Sequence, residues 1–299
     1  MFDNVLVGVD GRPGGRDALV LARQLAAPAA RLTLANIYGE AGWPPGSGSQ
    51  FLGEQRSAAE EMLERECERC PGAETAFACG TTVGRGLHEL AEERAADLLV
   101  VGSPHRGIPG KVLIGDDTRA AFNGAPCAIA VAPRDYAVAD RPLTRIGVGY
   151  DDGPESRRAL AAARRIGART GATITALWVL SLDDVRHRAP LPADWPSATA
   201  ALIDQAQRTL DAIEGVEGEV IDGGPREELT KLADRVDLLI VGSRGYGPVG
   251  SVFHGSVSSY LERHAASALL VLPRDLDESP SSAAPSAQEH TTTTVTGRG

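Results

Sequence analysis

A chain of 299 residues suits two domains of ordinary size, each able to bury its own core. Its hydrophobic content is 42% and its aromatic content only 4%, so Val, Leu, Ile and Ala must build those cores, which favours a parallel α/β sheet over a sandwich. A net charge of −10 with no basic cluster argues against nucleic acid and anionic membranes as partners, and no apolar run is long enough to span a bilayer. The same negative field opposes any anionic ligand, so binding of one must rest on local backbone donors.

The first half alternates strands and helices. Its strands are predicted at Val5–Val9, Arg31–Ile37, Glu74–Cys79, Leu98–Val101 and Ala128–Ala132. The first strand begins after four residues, without the pattern of a secretory signal, and four cysteines without a disulfide framework fit a reducing cytoplasm. Cys67 and Cys70 form a lone C-x2-C before Pro71; with no second pair, a helix end accounts for them better than a metal site, and no metal site is expected. The loop Gly39–Gln50, with Trp43, is rich in Pro and Gly and reads as a flap beside a pocket.

Residues 134–142 read as a linker. The second half then repeats the order, with strands at Ile146–Tyr150, Thr173–Val179, Glu219–Asp222, Leu238–Val241 and Ala268–Leu272. Its helices are predicted at Glu155–Arg169, Ser197–Ile213, Arg226–Arg235 and Ser256–Arg263, and its flap at Ser181–Pro196 carries Trp195. The fold class is therefore α/β: two tandem open parallel five-stranded sheets with helices on both faces and right-handed crossovers. The domains are residues 1–134 and 143–274; residues 275–299 lack apolar periodicity and read as a disordered tail.

The halves are copies. DLLVVG at Asp97–Gly102 matches DLLIVG at Asp237–Gly242 at an offset of 140 residues, as does CAIAVAPRD from Cys127 against SALLVLPRD from Ser267. VGVDGRPGGRDAL from Val7 matches VGYDDGPESRRAL from Val148 at an offset of 141. A period of this size exceeds a solenoid repeat and marks a duplicated domain.

The densest chemistry follows the fourth strand of the second half. Gly242, Gly245 and Gly255, then Ser256 and Ser258, spell G-x2-G-x9-G-S, a strand, a glycine-rich loop and a helix start. Such a loop brings amide N–H groups close to an anion at the positive end of a helix. The two serines serve either as caps or as phosphate ligands, and two hydroxyls behind a glycine loop exceed what capping requires. Arg244 faces either phosphate or solvent, and His254 has no partner identifiable as a catalytic one. Asp151, at the carboxyl end of the first strand, either receives a hydrogen bond from an amine or a ribose hydroxyl or caps the helix near Pro154; the two roles are compatible. Gly245-x-Gly247-x-x-Gly250 fits the dinucleotide fingerprint by letter, but it follows the fourth strand rather than the first. Gly110-Lys111 lacks the Ser/Thr of a P-loop, and no nucleophile elbow occurs.

On the paired openings VGVD and VGYD, the paired DLLVVGS and DLLIVGS, and the placed glycine loop, the chain resembles the universal stress protein family in its tandem two-domain form. The resemblance implies a strand order 3-2-1-4-5 in each half, the adenine nucleotide alpha hydrolase-like fold, and dimer-like pairing through the last strand, here between the two halves. It further implies an ATP-binding regulator of stress survival, dormancy or growth, with feeble hydrolysis at most. By position, Asp151 would meet adenine and Val179 would line its pocket. Gly242, Arg244, Gly245, Gly255, Ser256, Val257 and Ser258 would hold ribose and phosphates, with Mg²⁺ carried by the phosphates.

The first half departs from that pattern. His105 replaces a glycine and Asp116 replaces the hydroxyl residue, while Asp10, Gly102, Gly115 and Thr118 remain. A carboxylate about 4 Å from a phosphate charge costs on the order of 4 kcal/mol at an effective dielectric near 20. That is roughly a thousandfold in affinity. The expectation is an adenine-nucleotide site in the second half, a weakened one in the first, and a regulatory protein partner or further homodimer that reads the occupied state. The alternative is a nucleotide-free interaction module of the same fold. An enzyme cleaving nucleotides lacks an acid–base pair, so no catalytic residue is assigned.

Overall fold

The structure, a computed structural model, describes residues 1–39, 49–80, 82–104, 111–112, 126–139, 141–181, 195–243 and 257–273. In the first half, β1 (Phe2–Gly8), α1 (Pro13–Leu25), β2 (Ala26–Tyr38), α2 (Ser49–Glu68), β3 (Glu74–Cys79), α3 (Val83–Glu93), β4 (Leu98–Gly102) and β5 (Ala128–Ala132) follow in order. A short helix, α4 (Tyr136–Ala139), leads into β6 (Arg145–Gly149), α5 (Pro154–Thr170) and β7 (Thr173–Leu180). The second half ends with α6 (Trp195–Asp211), β8 (Glu217–Asp222), α7 (Pro225–Ala233), β9 (Leu238–Gly242), α8 (Ser258–His264) and β10 (Ala268–Leu272).

Local chemistry accounts for the element ends. Pro154 opens α5, where its missing N–H costs nothing, Glu155 faces the positive end of the helix, and Gly171 closes it with a left-handed φ of 75°. Thr82 caps α3 by accepting the Arg85 N–H at 3.3 Å. Cys67 and Cys70 sit in the turn that ends α2, where the Cys70 N–H reaches the Cys67 carbonyl at 2.9 Å and the Cys67 thiol reaches the Ala73 carbonyl at 3.8 Å.

The strands form one sheet rather than the two expected, in the order β3-β2-β1-β4-β5-β10-β9-β6-β7-β8. Within each half the order is 3-2-1-4-5 and every pairing is parallel. The halves meet where β5 and β10 pair antiparallel, with Ala130 opposite Leu270. The reason lies in composition. AIAVA and ALLVL are fully buried strands, and separate sheets would leave their backbone groups on two apolar edges. Helices cover both faces, and each face carries one apolar cluster that runs through both halves.

Three other boundaries moved. β2 starts at Ala26, with a register irregularity between Phe2 and Asn4, so its first residues extend the predicted strand toward α1. The predicted linker contains α4, because a buried carboxylate on α1, Asp17, accepts the N–H groups of Asp135 and Ala137 at 3.0 and 2.7 Å. Trp195, placed in a flap by sequence, is the first residue of α6. The flap residue Trp43 and the tail lie outside the described residues.

Candidate functional site

β6 lies between β7 and β9, so the carboxyl ends of three adjacent parallel strands open on one side. Asp151 follows β6, Val179 is near the end of β7, and Gly242 ends β9. This is the place where strand order reverses within the second half, the usual crevice for a ligand in an open α/β sheet. The structure therefore brings these three predicted residues to one edge. Val257 packs against the same apolar cluster as Val179, and Ser258 opens α8 with a buried side chain. Arg244, Gly245, Gly255 and Ser256 lie outside the described residues, as does His254.

Asp151 is held by its own turn. Its Oδ1 accepts the Gly153 N–H at 3.0 Å, and the Ser156 hydroxyl accepts the Asp151 N–H at 3.3 Å while donating to the Gly153 carbonyl at 3.0 Å. The helix cap itself is Gly153, which has no side chain, so Asp151 braces the turn two residues ahead of the cap. Asp10 repeats this at the start of α1, accepting the Arg12 N–H at 3.0 Å. Between carboxylate and cap, one residue must adopt a left-handed conformation: Gly11 at φ 74° and Asp152 at φ 60°. Asp tolerates that region better than most residues, and here it is anchored as well. The Tyr150 hydroxyl donates to Asp152 Oδ1 at 2.9 Å, and Arg157 Nε reaches the same oxygen at 3.0 Å. The hydrogen bond from Arg157, then that from Tyr150, holds the Asp152 carboxyl below the usual range. The Tyr150 ring in turn meets Trp178 edge-on, with centroids 5.9 Å apart.

Gly242 has a packing role that sequence did not reveal. A Cβ there would lie 2.6 Å from the Glu155 Cβ and 2.8 Å from the Glu155 backbone. Its counterpart Gly102 runs against the backbone of Gly14 in the same way. The glycine that ends each fourth strand thus lets the first helix of its half approach closely, and it sets the carboxyl end of that strand next to the start of the helix that follows the Asp151 or Asp10 turn. Ser103 and Ser243, one residue on, are buried and pair with the neighbouring fifth strands, at Ala132 and Leu272. Gly115 and Thr118 of the first half, with His105 and Asp116, lie outside the described residues.

The first letter of each DLL motif was also missed. Asp97 accepts the N–H groups of Asp3 (2.7 Å) and Asn4 (3.0 Å), tying the start of β4 to that of β1. Asp237 does the same for β9 and β6, through the Thr144 and Arg145 N–H groups (both 2.9 Å), the Thr144 hydroxyl (2.7 Å) and the Arg145 guanidinium (3.3 Å). Their titrations differ. Burial pushes Asp97 up, whereas at Asp237 burial is outweighed by Thr144 and Arg145, which hold the carboxyl down. The exact repetition of Asp in both copies was the available signal.

An α/β chain with two 3-2-1-4-5 half-sheets, each with a carboxylate turn facing a fourth-strand glycine, is a duplicated open-sheet domain with a crevice at its switch point. A sequence model described as the universal stress protein family matches residues 1–133 and 142–273, and the chain belongs to that family. Universal stress protein Rv2319c of Mycobacterium tuberculosis is 26% identical over 294 residues, spanning 90% of this chain and 99% of its own. Universal stress protein Rv2005c of the same species is 26% identical over 239 residues, 78% of each chain. Among solved structures, a universal stress protein from Archaeoglobus fulgidus superposes with a TM-score of 0.65 at 16% identity, covering 91% of this chain and 99% of its own. The functionally unknown protein PA1789 from Pseudomonas aeruginosa gives 0.63 at 17% identity, covering 91% and 93%. These likenesses support the fold.

Proposed function

We propose that this chain is a stress-response regulator whose second half binds ATP and turns it over little or not at all. The observation that carries this reading is the meeting of Asp151, Val179 and Gly242 at the carboxyl ends of adjacent strands β6, β7 and β9. In that arrangement Asp151 receives the adenine amine or a ribose hydroxyl, and Val179 supplies apolar surface to the base. The chain beyond Gly242 carries Arg244, Gly245, Gly255, Ser256, Val257 and Ser258 toward ribose and phosphates, with Mg²⁺ held by the phosphates. No acid–base pair is assigned, so occupancy rather than turnover is the signal, read in the cytoplasm by a protein partner or a second copy. The units are residues 1–134 and 143–274.

The first half is the weaker site. Asp10, Gly102, Gly115 and Thr118 are kept, but Asp116 brings a carboxylate to the place where the second half has Ser256. That substitution is also what favours the second reading, an interaction module that works without nucleotide.

Asp151→Ala and Asp10→Ala separate these readings, because both remove the same turn contact at 3.0 Å. Loss of a hydrogen bond to a charged group should weaken ATP binding by roughly tenfold to a hundredfold in Asp151→Ala. Asp10→Ala should leave it unchanged. Equal effects in fluorescence or calorimetric titration, or none, would remove the site from β6–β9.

A further inference from the structure

Helices α1 and α5 are counterparts at the offset of 141 residues, and on one side they behave alike. Arg23 donates to the Arg69 carbonyl just past α2, and Arg164 donates to the Glu214 carbonyl just past α6. On the other side they part. There α1 grips the chain that leaves β5: Asp17 accepts the Asp135 and Ala137 N–H groups, and Gln24 accepts the Tyr136 hydroxyl at 2.5 Å. Asp17 is 2% exposed beneath this segment, and burial pushes its carboxyl up.

At the matching places α5 carries Arg158 and Arg165. Arg158 approaches Glu155 only at 3.9 Å, and its buried Nε has no hydrogen-bond partner. Arg165 is exposed and makes no hydrogen bond or ion pair among the described residues. Both line a cleft of about 820 Å³ whose apolar wall includes Phe2, Leu160 and Leu272.

The chain that leaves β10 supplies the complementary chemistry. PRDLDE at Pro273–Glu278 aligns with PRDYAV at Pro133–Val138, at the offset of 140 residues, so Leu276 stands where Tyr136 does. Its neighbours are Asp275, Asp277 and Glu278, opposite Asp135, Ala137 and Val138. The first half sets an acid on the helix against backbone N–H groups; the second sets bases on the helix against an acidic segment.

We propose that residues 275–278 dock into the cleft on α5, with Leu276 against Phe2 and Leu272 and the acidic side chains on Arg158 and Arg165. They lie outside the described residues but begin two positions past Pro273, so no span of chain has to be bridged. Arg to carboxylate contacts of this kind are charge-assisted and directional, which suits a buried, unpartnered guanidinium nitrogen. The cleft also reaches Tyr150, next to Asp151, yet the docking stands without any nucleotide.

Hydrogen exchange of the full chain, read by mass spectrometry, tests this. Amides of residues 275–279 should exchange roughly tenfold or more slowly than those of residues 285–299. Arg158→Glu and, separately, Leu276→Asp should each abolish the difference; Leu276→Asp alters no residue of the sheet, so misfolding cannot mimic its effect. Adding Asp275→Lys and Asp277→Lys to Arg158→Glu should restore protection. Equal rates in the unaltered protein, or protection that survives both single substitutions, would overturn the docking. Protection that grows with protein concentration would assign the cleft to a second copy and overturn it as well.

Discussion

At the residue scale, repeated letters have different physical causes. Gly102 and Gly242 match because each fourth strand is crowded by a helix, with a Cβ at Gly242 only 2.6 Å from Glu155. Gly242→Ala should therefore lower stability by about 1–3 kcal/mol, as overpacking does, and a urea midpoint would show it without any ligand present. Asp97 and Asp237 match because each ties two strand starts together, yet their pH behaviour should be opposite. Asp237 is held below the ordinary value of 3.8, so its contribution is present above that value and fades as pH falls through the folded-state pKa. Asp97 is pushed above 3.8, so its contribution is greatest when protonated and falls as pH rises through that higher value. Relative to the unaltered protein, Asp237→Asn should lose stability, and Asp97→Asn should gain, as pH is raised from about 2 to 7. Parallel curves would remove the assignment. None of this was legible in the sequence, which shows that Asp recurs but not that four hydrogen-bonding groups of Thr144 and Arg145 surround only one copy.

At the scale of elements, most of the architecture was legible because a short apolar run between helices has few alternatives. Leu238 to Val241 and Ala268 to Leu272 read as buried strands from composition, and they are. Where two such strands meet was not legible in their own residues; pairing of the halves through the last strand came only from the family resemblance, and it is what the sheet shows. Nothing local in AIAVA or ALLVL says that they pair antiparallel with each other; that follows from two apolar edges with no other cover. The helix in the linker escaped for a similar reason, since Tyr136–Ala139 is secured by Asp17, more than a hundred positions away in sequence. The seam also makes a prediction. Leu270 is fully buried opposite Ala130, so Leu270→Asp places a charge in the centre of the joint, where it finds no compensating solvent. Calorimetry should then resolve two unfolding transitions in place of one cooperative transition. A single transition merely shifted downward would mean that the halves are coupled elsewhere.

At the scale of the whole molecule, a duplicated domain has kept one frame and let its two crevices diverge. Both halves retain the carboxylate turn and the glycine that admits the first helix, so both are built to present the edge of the sheet. They differ in the loop beyond, where Asp116 stands against Ser256 and His105 against Gly245, and in the helix face where Arg158 stands against Asp17. The first difference is one of sequence, and under the proposed function a carboxylate at Asp116 would repel a phosphate. The second became meaningful only once Asp17 was seen beneath the linker. With a net charge of −10 the molecule gains no long-range attraction for a nucleotide, so the proposed binding rests on the second-half loop alone. Calorimetric titration of ATP into the full chain, with and without Mg²⁺, tests that directly. One site per chain is the predicted result, with a second appearing only at far higher ATP; two equal sites, or no heat of binding at all, would contradict the account.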